Sequence, residues 1–409
     1  MSDSIRFQQL DALRGIAALA VVFSHFSYLQ PMGWLRAGPP RVLGAGHEAV
    51  ILFFVLSGFV LTLQLTASRP LGYVEYWIKR VCRIYLPYLA AVALAYGLYR
   101  LSEGRDVTWA GRWLNESWPA HVSWIDLARH ALFIAPFDTR ELNPVLWSLV
   151  YEMRISLIFP LVVWAVCRLR VAWSVAIAAA LSLIAFVYQL GDGAVLIQAS
   201  VNAEWMPTLH YLSMFVAGAL LALHRRRIVA WFGDGTRWKV PLTIVCLSLP
   251  RVMFRAWVPV DFRIGSPASG FIFDWSITPM IVGVIALAIS LRPFANALSI
   301  KPLLFLGKIS YSVYLLHSVV LFTVLHLMAD AQPATALCVA AAAIIPVGAL
   351  AYSLIERPAI YAGKTLAALA SHGARTHGGR AEAVTATPAD RADTAGSLRR
   401  RYARWRTAR

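Results

Sequence analysis

The sequence predicts an all-α fold, a polytopic membrane bundle of about ten transmembrane helices. Apolar residues make up 59% of the chain and charged residues only 14%. The mean hydropathy is +0.61, more apolar surface than a water-soluble fold can bury. Apolar stretches of about 20 residues, the length that crosses a bilayer, recur along most of the chain. Lys and Arg gather in alternate connections between those stretches, as orientation in a membrane requires.

The candidate spans lie at 8–29, 47–66, 83–101, 144–167, 171–190, 207–224, 241–258, 273–291, 303–327 and 335–356. Pro250 and Arg251 interrupt the seventh. The first shows no cleavage site and is expected to remain as a helix. One set of connections holds Arg69, Lys79, Arg80 and Arg83, then Arg168 and Arg170, then Arg225, Arg226, Arg227, Arg237 and Lys239, then Arg292 and Lys301. That side is assigned to the cytoplasm, with both termini. The opposite connections are poorer in basic residues. The longest, 102–143, mixes signs and is expected outside, with a short amphipathic helix near 124–135. Domain boundaries follow the composition: a transmembrane domain over 1–361 and a basic tail over 362–409. The tail ends in SLRRRYARWRTAR and is expected to be disordered and drawn to anionic lipid.

The net charge of +17 does not indicate nucleic acid, because the basic residues sit in loops and tail while the aromatics sit in apolar spans. Cys82, Cys167, Cys246 and Cys338 are scattered without metal spacing and read as small apolar residues. No metal site is expected. No Gly-rich phosphate loop or flavin fingerprint appears, so any small molecule needed is a co-substrate.

Arg14 and His25 are eleven residues apart in the first span, very nearly three helical turns. They share a face and stand about 16 Å apart along the axis. Ionisable groups are costly inside a bilayer and mark functional sites. A cation near one membrane face and a proton acceptor half a membrane deeper suit group transfer into or across the bilayer. Asp11 is spaced to pair with Arg14. Gly15 and Ala18 between them allow close approach of a helix or a ligand. Glu152, beside Ser148 at i,i+4, needs a partner or a wet cavity. Ser57 and Gly58 read as helix packing. Tyr311, Tyr314 and His317 line one side of the ninth span, His317 as a structural hydrogen-bonding histidine. Glu356 and Arg357 read as an ion pair.

FQQLDALRGIAALAVVFSHF (7–26), LFFVLSGFVLT (52–62), LWSLVYE (146–152), ISYSVYLLH (309–317) and IERP (355–358) resemble, in order, the blocks of the acyltransferase 3 family of integral membrane proteins. The resemblance covers residues 7 to about 360 and lacks the SGNH-type domain that some relatives append. It implies a bacterial inner-membrane O-acyltransferase. His25 would be catalytic, as a general base or as an acyl carrier, with Arg14 and Glu152 in the same site. Arg80 and Arg83 match an Arg-x-x-Arg element, and their forked guanidiniums suit the phosphates of coenzyme A. The implied donor is cytoplasmic acyl-CoA, most simply acetyl-CoA. The implied acceptor is a hydroxyl of an envelope polysaccharide, glycolipid or other glycoconjugate. Ile51, Ile155, Ser156 and Val319 depart from the usual pattern of an acid, two aromatics and a proline, which puts the acceptor pocket in doubt. The alternative reading is a membrane transporter or exporter of a glycan or small molecule, but the internal repeats common in transporters are not visible. A non-catalytic scaffold would not need Arg14 and His25 on one face.

Overall fold

A computed structural model describes residues 7–370 except 37–39, 41–42, 69–70, 103–105, 119–121, 133–135, 234–237 and 258–265, and of 250–257 it describes the backbone alone. Among the described residues every regular element is helical. In chain order these are α1 (Gln8–Ser27), α2 (Gly46–Leu65), α3 (Tyr73–Ser102), α4 (Arg112–Ser117), α5 (Trp124–Leu132), α6 (Leu146–Arg168) and α7 (Val171–Asp192). They continue as α8 (Leu196–Val201), α9 (Met206–Gly233), α10 (Lys239–Trp257), α11 (Pro267–Ser290), α12 (Arg292–Leu298), α13 (Lys301–Leu327) and α14 (Pro333–Ala351). After α14 the chain makes a π-helical turn at Tyr352–Glu356 and stays helical to Ala370. The helix therefore passes through the boundary expected at 361. The tail proper, 371–409, lies outside the described residues.

Nine of the described helices are long and apolar enough to cross a membrane. They coincide with nine of the ten expected spans. The tenth, α10, is helical, but its described apolar stretch, Lys239–Leu249, is short for a crossing. The helix backbone itself continues to Trp257.

In lipid no hydrophobic force pushes one helix onto another, so close packing must hold the bundle. Two glycine crossings supply it. A Cβ on Gly15 of α1 or on Gly307 of α13 would strike the backbone of the facing helix. The same holds for Gly58 of α2 and Gly218 of α9. Gly15 thus serves helix approach, as Gly58 does. Buried along nearly all its length, α13 packs on α1, α3 and α14. On the periphery, α7 packs on α9 and turns Val175, Leu183, Ile184 and Val187 outward, a face suited to lipid.

The loop expected outside contains its short helix, α5. Ser123 and Asp126 form a reciprocal cap at its start: each side chain accepts from the other's backbone N–H at 3.2 Å. At its end the Tyr88 and Tyr85 hydroxyls donate to the carbonyls of His130 and Ala131, at 2.9 and 2.7 Å. Those carbonyls lack partners within the helix. Asn143 fastens the end of the loop to α13, donating to Leu315 O at 2.7 Å and accepting from Ser318 Oγ at 2.6 Å. The loop is thereby held over the C-terminal end of α1 and against α13.

Candidate active site

His25 lies in the last turn of α1, half-buried beneath Trp113 of the 102–143 loop, with ring centroids 5.3 Å apart. Its Nδ1 is 2.8 Å from Nε2 of His317 on α13. On the other side of the His317 ring, Nδ1 meets the carbonyls of Tyr314 and Val313 at 2.7 and 3.1 Å. A carbonyl can only accept, so His317 Nδ1 carries the hydrogen. In the neutral ring Nε2 is then an acceptor and His25 Nδ1 must donate to it. The lone pair of His25 is fixed on Nε2. His317, read from sequence as a structural histidine, thus sets the tautomer of His25.

Three turns toward the other end of α1, Arg14 borders a small cavity of about 30 Å³, room for only a water or two. Phe53, Ser57, Ser148, Glu152 and Tyr314 also line it. Ser148 Oγ and the Tyr314 hydroxyl close its outer end at 2.6 Å. Arg14 and Arg83 have no side-chain hydrogen-bond partner among the described residues. Arg83 lies within electrostatic reach of Arg14, Arg80, Glu152 and Glu356. Two guanidiniums with unfilled donors are an anion site in waiting.

Arg80 and Glu152 behave differently. Arg80 Nη2 donates to Glu152 Oε1 at 2.8 Å, and Ser57 Oγ donates to the same oxygen at 3.0 Å. Arg80 also donates from Nε and Nη2 to Ser156 Oγ at 3.2 and 2.8 Å. Ser156, one of the positions departing from the family pattern, is thus a partner of the arginine. The partner that Glu152 needed is Arg80, and its carboxylate faces the cavity without bonding His25. Of the two arginines in Arg80-x-x-Arg83, the first is held through Nε and Nη2, while the second has no side-chain partner among the described residues.

Other expectations resolve by geometry. Glu356 does not pair with Arg357. It accepts from Ser312 Oγ at 2.6 Å and is buried, while Arg357 is exposed. Consecutive residues on a helix point in different directions and do not face each other. Arg154, next but one to Glu152, caps the carbonyls of Ala203 and Glu204 at 2.7 and 2.6 Å and stacks on Trp205. Among the described residues no group of three or more His, Cys, Asp or Glu is placed to hold a metal ion.

One buried ion site was missed. Asp274 of α11 is fully buried between His47 Nε2 at 2.5 Å and His210 Nε2 at 3.1 Å. The signal was available: Asp274 is the single acid in the apolar run GFIFDWSITPMIVGVIALAIS, and a lone intramembrane carboxylate marks a site.

The family model for an acyltransferase domain, acyltransferase 3, matches residues 7–353. Acyltransferase MdmB of Streptomyces mycarofaciens is 28% identical over 87% of this chain and 92% of its own. O-acetyltransferase OatA of Staphylococcus aureus is 24% identical over 75% of this chain but 49% of its own length. A putative acetyltransferase, ORF330, of Acidianus two-tailed virus is 28% identical over 75% of this chain and 80% of its own. No solved structure matches.

Proposed function

The chain belongs to the acyltransferase 3 family and is a multi-pass membrane acyltransferase; from that premise we propose that it moves an acetyl group from cytoplasmic acetyl-CoA to a hydroxyl of an envelope glycan or glycoconjugate. The observation that carries this reading is the His25 tautomer. An imidazole whose Nδ1–H is held by His317 presents its Nε2 lone pair, the form needed by a base or nucleophile. On the same helix face, about 16 Å away, Arg14 begins the open-donor region that continues to Arg83.

The direction of transfer follows from that polarity. Arg83 and Arg14 receive the phosphates of the donor at the cytoplasmic side, and the acyl group reaches His25 near the outer face. Glu152 keeps the floor of the route polar and holds Arg80. Both termini lie in the cytoplasm of a bacterial inner membrane, and the 102–143 loop lies outside. The acetyl group and the hydroxyl acceptor are supported by the relative named as an O-acetyltransferase.

Purified protein in nanodiscs, supplied with acetyl-CoA and an extract of envelope glycans, should release free thiol and form O-acetyl ester. NMR of envelope glycans from wild-type and gene-deleted cells should show the loss of one O-acetyl signal. Identical spectra would remove the proposed acceptor class. A cysteine at Arg112, whose side chain is 92% exposed, should be labelled in intact cells by an impermeant maleimide. Labelling only after lysis would invert the topology.

A further inference from the structure

We infer that the protein holds a binding site for one anionic phospholipid: a groove among α7, α9 and α11 takes an acyl chain, and Arg226 and Arg227 receive the phosphate. The groove shares no lining residue with the cavity at Arg14, and its assignment does not rest on the function proposed above.

The groove has a volume of about 450 Å³, against about 30 Å³ for the cavity at Arg14. Three hydrogen bonds fix one end of it. Ser182 Oγ donates to His210 Nδ1 at 2.7 Å, Trp275 Nε1 donates to Ser182 Oγ at 2.9 Å, and His210 Nε2 donates to Asp274 at 3.1 Å. They pin α7, α9 and α11 together at one level. Val175 lies seven residues before Ser182, and Ala217 seven after His210. These two antiparallel helices therefore run side by side for about 10 Å beyond the pinned end. Ala178 and Ala179 of α7, Ala217 of α9 and Pro279 of α11 line that stretch. Small side chains there leave the space open, where large ones would fill it.

The wall suits hydrocarbon. The hydroxyls of Ser213 and Thr278 donate to carbonyls of their own helices, His210 O at 2.6 Å and Asp274 O at 2.7 Å. Ser182 Oγ and Trp275 Nε1 are committed to the pinned end. Val216, Leu220, Leu221 and Val282 supply much of the remaining surface. Water needs several polar partners to settle in such a space. Val175, also in the wall, is exposed, so the groove opens on the surface that a bilayer covers. A bilayer fills it with an acyl chain, and an empty groove would forfeit the contacts of its lining atoms. The chain also cements α7, the least buried of the nine spans, to α11.

Length and charge select the lipid. On α9 the wall runs from Ser213 to Ile228, about 22 Å. One leaflet supplies about 15 Å of hydrocarbon, so an extended chain fills the groove with its headgroup at the Ile228 end. That end is basic. Arg225, Arg226 and Arg227 fall between His224 and Ile228 of the wall, and Arg170 immediately precedes α7. Arg225 Nη1 is turned back onto the carbonyl of Ala222 at 2.7 Å. Arg226 and Arg227 are exposed, and Arg227 is spaced to share the face of His224. The described residues of 161–175 and 221–239 include no acid. A basic cluster beside a gap between membrane helices suits an anionic lipid headgroup, and the guanidinium fork suits its phosphate.

Photocrosslinking of the full-length protein in nanodiscs tests the site. The probes are phosphatidylglycerol and phosphatidylcholine, each with a diazirine near the end of one chain. The phosphatidylglycerol probe should label peptides of α7, α9 and α11 that contain Ser182, Ser213 and Thr278. Ala217→Phe should abolish that labelling by filling the groove, and Ala179→Phe on the facing wall serves if the first variant folds poorly. Arg226→Gln combined with Arg227→Gln should leave the chain site in place. It should lower the preference for phosphatidylglycerol over phosphatidylcholine by roughly fivefold for each arginine. Labelling spread evenly around the bundle, or unchanged by the groove-filling variants, overturns the site. Equal labelling by the two probes in wild type overturns the anionic headgroup, and an undiminished preference in the double variant overturns the role of the two arginines.

Discussion

Two polar clusters lie on the cavity wall and beyond its mouth, and they are built on opposite rules. In the inner one, Arg80, Glu152, Ser57 and Ser156 from three helices answer one another's donors and acceptors. Charge is neutralised in place. In the outer one, His25 and His317 share a single bond, and one imidazole nitrogen is left over for chemistry. Burial and polarity alone do not distinguish structural from reactive groups inside a membrane. What distinguishes them is whether valence remains after the protein's own bonds are counted. Arg80 and Arg83 differ in the same way within one helix turn: the first is held through Nε and Nη2, the second by no side chain among the described residues.

The largest expected effect falls on the open side. His25→Ala should abolish acyl transfer while membrane insertion and thermal stability hold, because a neutral residue replaces a neutral ring. Normal turnover by the folded variant would end the comparison. Next comes the closed side. Glu152→Ala leaves the buried Arg80 without its counter-ion and should cost about 3–5 kcal/mol of stability, read as a lower melting temperature in detergent. Replacing both partners, Arg80→Met with Glu152→Leu, should recover most of that loss. If the double variant is as unstable as the single one, the pair is not the closed unit described.

His317 tests the link between orientation and reactivity. His317→Gln can offer an amide oxygen to His25 Nδ1–H and should retain activity within about a hundredfold, whereas His317→Phe should fall by about a thousandfold, the range lost with base catalysis itself. Equal losses in the two would show that the bond does not set the tautomer. Arg83→Ala should raise the apparent KM for acetyl-CoA roughly tenfold to a hundredfold, since a hydrogen bond to a charged group contributes about 1.5–3 kcal/mol. Arg83→Lys should restore it only partly, because an ammonium lacks the fork. An unchanged KM would put the donor phosphates elsewhere.

The smallest effect concerns pH. His130, in the 102–143 loop, is buried with Nε2 lacking a partner among the described residues. Burial holds its pKa below the usual value of 6.5, against the opposing pull of the Asp126 carbonyl and carboxylate. A folded-state pKa below the unfolded one means that stability is intact above pH 6.5 and declines as pH falls from there toward the folded value. The slope is at most about 1.4 kcal/mol per pH unit. His130→Phe should flatten that part of a melting-temperature profile, and an unchanged acid slope would clear His130 of the role.

The sequence determined that this chain spans a membrane, which stretches form its long apolar helices, that a short helix, α5, lies in the 102–143 loop, and that Arg14 and His25 share a face. Hydropathy and helical period suffice for these, because each depends on residues within a few turns of one another. Only the tertiary structure decided which group meets which. His25 met His317, 292 positions away, and Asp274 met His47, 227 positions away. Apolar faces in lipid do not discriminate among partners, so pairing was set by close contacts such as Gly15 on Gly307 and by the buried polar bonds themselves. For the same reason the Arg-x-x-Arg spacing could not reveal that Glu152 and Ser156, on α6, hold Nε and Nη2 of the first arginine while the second has no side-chain partner among the described residues.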